Sequence, residues 1–151
     1  MNMFTKFFRK LSPREKTIFI VEDNEVYAKS LEGFLTTRFP GVKTKIFPVG
    51  EACLQELYQN PTVIIMDHLL NANYKDAATG LSIIKKIKAA SSGTKIILLS
   101  AQTEFDVIAK AILKYRCTYL QKDEQAFNKV EQFIKEVFKH KKNFAFVPWN
   151  R

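Results

Sequence analysis

From Thr17 onward the chain alternates two apolar patterns. Runs of consecutive apolar residues, "IFIV" at 18–21, "VIIM" at 63–66 and "IILL" at 96–99, are each followed by a longer segment whose apolar positions recur at helical spacing. This pattern predicts strands over Thr17 to Val21, Lys43 to Phe47, Thr62 to Met66, Lys95 to Leu99 and Cys117 to Gln121. It predicts helices over Asn24 to Arg38, Gly50 to Gln59, Thr79 to Ala90, about Thr103 to Lys114 and about Glu124 to His140. Turn formers fall between them: Pro40-Gly41, Asn60-Pro61 and Ser91-Ser92-Gly93 each close a helix before the next strand.

A strand that is apolar at every position is covered on both faces, which suits a parallel sheet between two layers of helices. The expected fold is therefore α/β, a doubly wound five-stranded parallel sheet built from five βα units. The 151 residues fit one domain, and a hydrophobic content of 46% is too high for a disordered chain. The longest apolar runs are too short to cross a bilayer, and the start, MNMFTKFFRKLSPREK, has no continuous apolar core of a signal peptide. A cytoplasmic location without membrane insertion is the expectation. Cys53 and Cys117 lie inside apolar periodic segments without metal-ligand spacing, so both are expected as reduced, buried thiols.

Net charge is +9, and its distribution decides what it means. Residues 1 to 16 carry five Lys/Arg against one Glu and residues 139 to 151 carry four against none, leaving fifteen against fourteen between them. The excess sits in the ends, which read as a basic N-terminal extension (1–15) and a C-terminal tail (141–151) around a domain at 16–140. Solvated ends are the simpler reading, and nucleic acid is not the expected partner.

In doubly wound sheets functional groups collect beyond the carboxyl ends of the strands. The residues there are Glu22-Asp23, Pro48, Asp67, Ser100 and Lys122. Glu22, Asp23 and Asp67 would converge with Lys122 as their cation, and such crowding of like charge calls for a divalent ion. A few hard oxygen ligands suit Mg²⁺, and the chemistry that fits is phosphoryl transfer to Asp67. Lys122 would neutralise phosphoryl charge and the Ser100 hydroxyl would donate to a phosphoryl oxygen.

These residues resemble the receiver domain of two-component response regulators, over roughly residues 16 to 140. The resemblance rests on "IVEDN" with Glu22-Asp23, "VIIMD" with Asp67, "ILLSA" with Ser100, and "YLQK" with Tyr119 and Lys122. It implies a flavodoxin-like sheet of strand order 2-1-3-4-5 and Mg²⁺-dependent transfer from the phosphohistidine of a sensor histidine kinase or phosphotransfer protein to Asp67. It also implies that Leu69 gives a backbone carbonyl to the metal and that Tyr119 turns inward as Ser100 moves toward the phosphate. Output would pass to a downstream protein on the face of the fourth helix, fifth strand and fifth helix, with a homodimer as one candidate assembly. About ten residues follow the last helix, too few for an output domain, so protein contacts are the expected route.

The chain departs from the family in two places. Leu70-Asn71 stands where a Met-Pro pair is usual, and Gly80 comes thirteen residues after Asp67 rather than about eight. Asp123 follows Lys122 in place of Pro, which predicts a trans bond there, since a non-proline cis bond costs about 2.5–4 kcal/mol. These changes support the alternative of a degenerate receiver acting as a constitutive adaptor. A dinucleotide module is disfavoured by the glycine-free, acidic turn "VEDNE", and an aspartate-nucleophile phosphohydrolase by Leu69 at the place of its second Asp. His68 is expected to be structural or at the surface, His140 to sit in a basic last helical turn, and Phe127, Phe133 and Phe138 to form core or docking surface. Trp149 could anchor a partner or fold back on the domain. The resemblance makes Leu69 and Gln102 tuners of phosphoryl loss, and apolar Leu69 cannot orient an attacking water. The phosphorylated protein is therefore expected to lose its phosphoryl group slowly, with a half-life far beyond seconds when the decay is followed by intact mass.

Overall fold

The computed structural model describes residues 15–101 and 104–143. In chain order the elements are β1 (Thr17–Val21), α1 (Glu25–Arg38), β2 (Lys43–Phe47), α2 (Gly50–Gln55), β3 (Val63–Met66), α3 (Gly80–Ala90), β4 (Lys95–Ser100), α4 (Phe105–Ala109), β5 (Thr118–Gln121) and α5 (Ala126–Asn143). The strands form one parallel sheet in the order β2-β1-β3-β4-β5. The expected architecture, strand number and strand order are all present.

Alternation along the strands explains why their sequences are apolar throughout. Ile18, Ile20, Val63, Ile65, Ile97 and Leu99 pack with Ala28, Leu31 and Leu35 of α1 and Ala126, Val130 and Ile134 of α5. Their neighbours Phe19, Val21, Ile64, Met66, Ile96 and Leu98 pack on the other face with Cys53 of α2, Ile83, Ile84 and Ile87 of α3, and Ala111. Each buried Val, Leu, Ile, Phe and Met among them contributes about 1.5–3 kcal/mol through burial. The two cysteines are free and buried as expected, and burial pushes the Cys53 thiol up to about 12. Phe127 and Phe133 pack against the first of these clusters and Phe138 is buried in it, so the Phe-rich spacing of α5 belongs to the core. Residues 1–14 of the N-terminal extension, and Trp149 with the rest of 144–151, lie outside the described residues, whereas α5 continues past the expected end at His140 to Asn143.

Two helices differ from the periodicity. The pattern at 50–59 is broken after Gln55, and a tighter single turn over Leu57–Gln59 leads to Asn60 in the left-handed region at φ 52°. That left-handed residue redirects the chain into Pro61 and β3, which a continued α-helix could not do. The segment expected from Thr103 starts as α-helix at Phe105 and widens into a π turn over Lys110–Lys114. Tyr115 N–H donates to the Lys110 carbonyl (3.1 Å), and Arg116 follows at φ 53°. The wider turn leaves Ala111 in the core and exposes Ile112 and Leu113. Among the described residues there is no cis peptide bond, so Lys122-Asp123 is trans as predicted.

The long connection after β3 is pinned at both ends. Leu70 is fully buried, and Gly80 N–H donates to the His68 carbonyl (2.9 Å). A Cβ on Gly80 would overlap the Asp67 carbonyl oxygen and lie 2.9 Å from His68 Cα, so the start of α3 can approach β3 only as glycine. Gly33, exposed in α1, has nothing within 4 Å of such a Cβ. Gly80→Ala is expected to destabilise the fold by about 3 kcal/mol in urea unfolding. Gly33→Ala should stabilise it by about 0.5–1 kcal/mol in the same measurement.

Candidate functional site

The register of β1 and β3 places Val21 beside Met66, so the residues leaving these strands emerge side by side. Asp67 N–H donates to the Val21 carbonyl (2.9 Å) and Glu22 N–H to the Phe47 carbonyl (3.0 Å), which holds both backbones to the sheet past its last paired residues. Glu22, Asp23 and Asp67 each offer a carboxylate oxygen, all lying within 4.8 Å of one another. Glu22 and Asp67 are buried, and Asp23 is half-buried. Lys122 reaches across from the end of β5, its Nζ 2.5 Å from Glu22 Oε2 and 3.5 Å from Asp67 Oδ2. Its own N–H donates to the Ser100 carbonyl (2.9 Å), tying the lysine to the end of β4.

Burial raises both inner carboxyls above their ordinary range. For Asp67 the removal of water is the main cause, opposed by Lys122 and by the backbone N–H groups of Leu69 and His68, with Asp23 adding repulsion. For Glu22 burial is again first, opposed by the hydrogen bond from Lys122 and reinforced by Asp67. Two like charges about 4–5 Å apart repel by about 3–4 kcal/mol at an effective dielectric near 20. One ammonium among three carboxylates leaves a charge of about two negative units, which a divalent cation matches. The donors are hard oxygens of carboxylate type, so the residues present fit Mg²⁺.

Ser100 is buried at the end of β4, and Tyr119, half-buried on β5, donates its hydroxyl to the Ser100 carbonyl (3.4 Å). The sheet thus brings together Glu22, Asp23, Asp67 and Lys122, and couples Ser100 to Tyr119 next to them. Leu69 is 41% exposed, an apolar residue at the rim rather than in the core. Gln102 lies outside the described residues. His68 is buried, its Nδ1 has no hydrogen-bond partner, and burial lowers its pKa against the opposing charge of Glu104. His140 is an exposed residue of α5.

Two contacts were not foreseen from the sequence. Asn73, in the extended loop, donates its backbone N–H to Asp23 Oδ2 (3.2 Å) and its side-chain amide to the Asp23 carbonyl (2.9 Å). The loop is held again where Ala78 N–H donates to Glu51 Oε1 (2.8 Å). Only the extra length of the loop hinted at a contact of this kind. Tyr27, in the first turn of α1, lies with its ring centroid 4.2 Å from Lys122 Nζ. Its place in the first turn of the helix that follows β1 was the only hint, a signal that reads equally well as core.

A doubly wound parallel sheet with a carboxylate pocket and a lysine at its carboxyl edge defines the receiver class of α/β domain. The sequence profile of the response regulator receiver domain matches residues 18–135, and the chain belongs to that family. No curated protein sequence matches it. Among solved structures it is similar to a CheY-like response regulator receiver domain protein from Methanospirillum hungatei, at 17% identity and a TM-score of 0.71, covering 85% of this chain and 98% of that one. The receiver domain of a DNA-binding response regulator from Colwellia psychrerythraea is similar at 24% identity and a TM-score of 0.71, covering 83% and 99%. The phosphorylated phytochrome response regulator of a cyanobacterium is similar at 20% identity and a TM-score of 0.65, covering 89% and 99%.

Because Asp67 and Glu22 hold protons more tightly when folded than when unfolded, their ionisation works against the fold. In EDTA, their contribution to stability is therefore expected to fall as pH rises from their ordinary values of 3.8 and 4.5 through their higher folded values. Asp67→Asn should weaken that decline and add about 1 kcal/mol of stability at neutral pH, read by urea unfolding across pH.

Proposed function

We propose that this protein is a phosphoacceptor that takes a phosphoryl group from the phosphohistidine of a sensor histidine kinase or phosphotransfer protein onto Asp67 and signals through phosphorylation-dependent protein contacts. The observation that carries this reading is the placement of Asp67: a carboxylate at a strand end, 3.5 Å from the Lys122 ammonium and clustered with two further carboxylates. A carboxylate oxygen of Asp67 attacks phosphorus in line, and the P–N bond breaks with its electron pair returning to the donor imidazole. Glu22, Asp23 and Asp67, with the Leu69 backbone carbonyl, would hold Mg²⁺, which would supply positive charge against the incoming phosphoryl oxygens.

The chain's own residues do the remaining work. Lys122 exchanges part of its pairing with Glu22 and Asp67 for a phosphoryl oxygen, so its ammonium stays neutralised throughout. The Ser100 hydroxyl donates to the phosphoryl group once it has arrived. Because Tyr119 is hydrogen-bonded to the Ser100 carbonyl, a shift of Ser100 pulls on the ring and biases its position. Apolar Leu69 at the rim leaves the attacking water unoriented and lengthens the life of the phosphorylated form, with Gln102 as the second residue that tunes it. The protein is thus a phosphoacceptor assisting its own transfer and slow autodephosphorylation rather than an enzyme acting on other molecules.

The output face in this reading is α4, β5 and α5, where Phe105 and Leu113 are 81% and 80% exposed, apolar surface of the kind a protein partner covers. A downstream protein is the occupant of this face in the proposal, and a homodimer is a further candidate assembly. Reduced, buried Cys53 and Cys117 favour the cytoplasm. Among the described residues no helix is long and apolar enough to cross a membrane.

Incubation with Mg²⁺ and acetyl phosphate is expected to add one phosphoryl group by intact mass. The gain should vanish in Asp67→Ala and slow strongly in Lys122→Ala. Absence of any gain, also with a phosphohistidine donor, or a gain that survives Asp67→Ala, would favour the constitutive adaptor instead.

A further inference from the structure

The lysine of the site lacks the proline that usually follows it, and the structure holds its ammonium by other means. Lys122 Nζ meets three partners: Glu22 Oε2 at 2.5 Å, Asp67 Oδ2 at 3.5 Å and the Tyr27 ring, with 4.2 Å to the centroid. A cation over an aromatic face is attracted by the ring quadrupole, and more strongly where water is excluded. The ring is itself fixed. Asn24 caps α1 by accepting the Tyr27 N–H (3.0 Å), and the ring packs edge-on against Phe127 of α5 at 5.4 Å. Phe127 in turn rests on Phe34 at 5.4 Å, so α1 and α5 clamp the tyrosine between them.

The hydroxyl of Tyr27 is shielded from solvent and has no hydrogen-bond partner. Glu22, Asp67 and Asp123 act on it, and together with burial, the largest cause, they push its pKa up to about 12, so it faces the acidic pocket as a neutral phenol. The hydroxyl makes no bond that could hold Lys122. The ring face is what holds it.

We propose that Tyr27 is a positioning residue that fixes the Lys122 ammonium between Glu22 and Asp67 through the face of its ring, replacing the restraint a proline after the lysine would give. Its effect on phosphorylation rests on the phosphoacceptor reading above, whereas the cradle itself does not. With Tyr27 reduced to an aliphatic side chain, two carboxylates alone would hold the ammonium. Such a pair is free to pivot toward Glu22, the nearer partner, and away from the place where Asp67 receives phosphorus. The effect would appear in the rate at saturating donor rather than in the donor concentration needed.

The test compares Tyr27→Phe, Tyr27→Leu and Tyr27→Met, each checked for folding by thermal melting. In NMR of protein with ¹³C-labelled lysine, the Lys122 ε-methylene protons should be shifted upfield by the ring in wild type and Tyr27→Phe. They should return to the ordinary lysine position in the Leu and Met variants. With acetyl phosphate and Mg²⁺, Tyr27→Phe should react like wild type. Leu and Met should lower the saturating rate about tenfold with little change in half-saturating donor concentration. In a Lys122→Ala background the Leu change should have no further effect. An unshifted Lys122 signal in wild type overturns the cradle. A Phe variant as slow as Leu, a Leu and Met pair as fast as wild type, or full additivity with Lys122→Ala overturns the positioning role. If wild type accepts no phosphoryl group while its Lys122 signal is shifted, the phosphoacceptor reading has failed and the cradle has not.

Discussion

Everything in this molecule is arranged around the repulsion among Glu22, Asp23 and Asp67. Like charges this close, two of them buried, would separate if the backbone allowed it. It does not, because Asp67 and Glu22 are bonded to the sheet through their own N–H groups and the sheet is packed on both faces by apolar side chains. The strands act as rigid mounts, and the hydrophobic layers supply the stability that crowding the acids costs. Lys122 relieves part of the repulsion from within, and the remainder is what makes the pocket receptive to a cation.

Position relative to the sheet sorts the polar residues of the site by how readily they are displaced. Glu22, Asp67 and Ser100 are buried at strand ends, while Asp23 stands half-buried where α1 begins. Lys122 and Tyr119 come from β5, the edge strand, whose side chains are only partly covered. This edge strand is backed by a short helix with a π turn, and it carries Tyr119, one of the two residues proposed as the switch, whereas the other, Ser100, is buried in β4. In the proposed function, a rigid acceptor beside a looser responder would suit a two-state signalling element.

Most of the scaffold could be read from the chain. Runs such as "VIIM" specify buried parallel strands because only two-sided burial tolerates apolar residues at every position, and the strand ends then name Glu22, Asp23, Asp67, Ser100 and Lys122. What escaped depended on contacts distant in sequence. Asn73 meets Asp23 across fifty positions, and Tyr27 meets Lys122 only because α1 and α5 share Phe127. The break of α2 before Leu57 and the π turn after Ala109 lead into the left-handed residues Asn60 and Arg116: Asn60-Pro61 marked where the segment ends but not the earlier break, and Arg116 carries no local signature. His68 seemed adjacent to the chemistry, yet it is a buried residue beyond the end of β3 that gives Asp67 its backbone N–H.

The pinned loop between Leu70 and Gly80 has an implication for how such a protein can change. Its two ends are fixed by the core and by the Gly80 N–H bond to His68, so the sheet does not register how many residues lie between them. Lengthening a closed chain from about eight to about thirteen residues costs only about 0.4 kcal/mol of closure entropy. The two hydrogen bonds from Asn73 to Asp23 are enough to offset a penalty of that size. The segment beside the acceptor can therefore drift in length and composition almost without thermodynamic resistance, while the acids one turn away cannot move at all. If the proposed function holds, variation in the loop and constancy of the acidic pocket are separated by a single glycine.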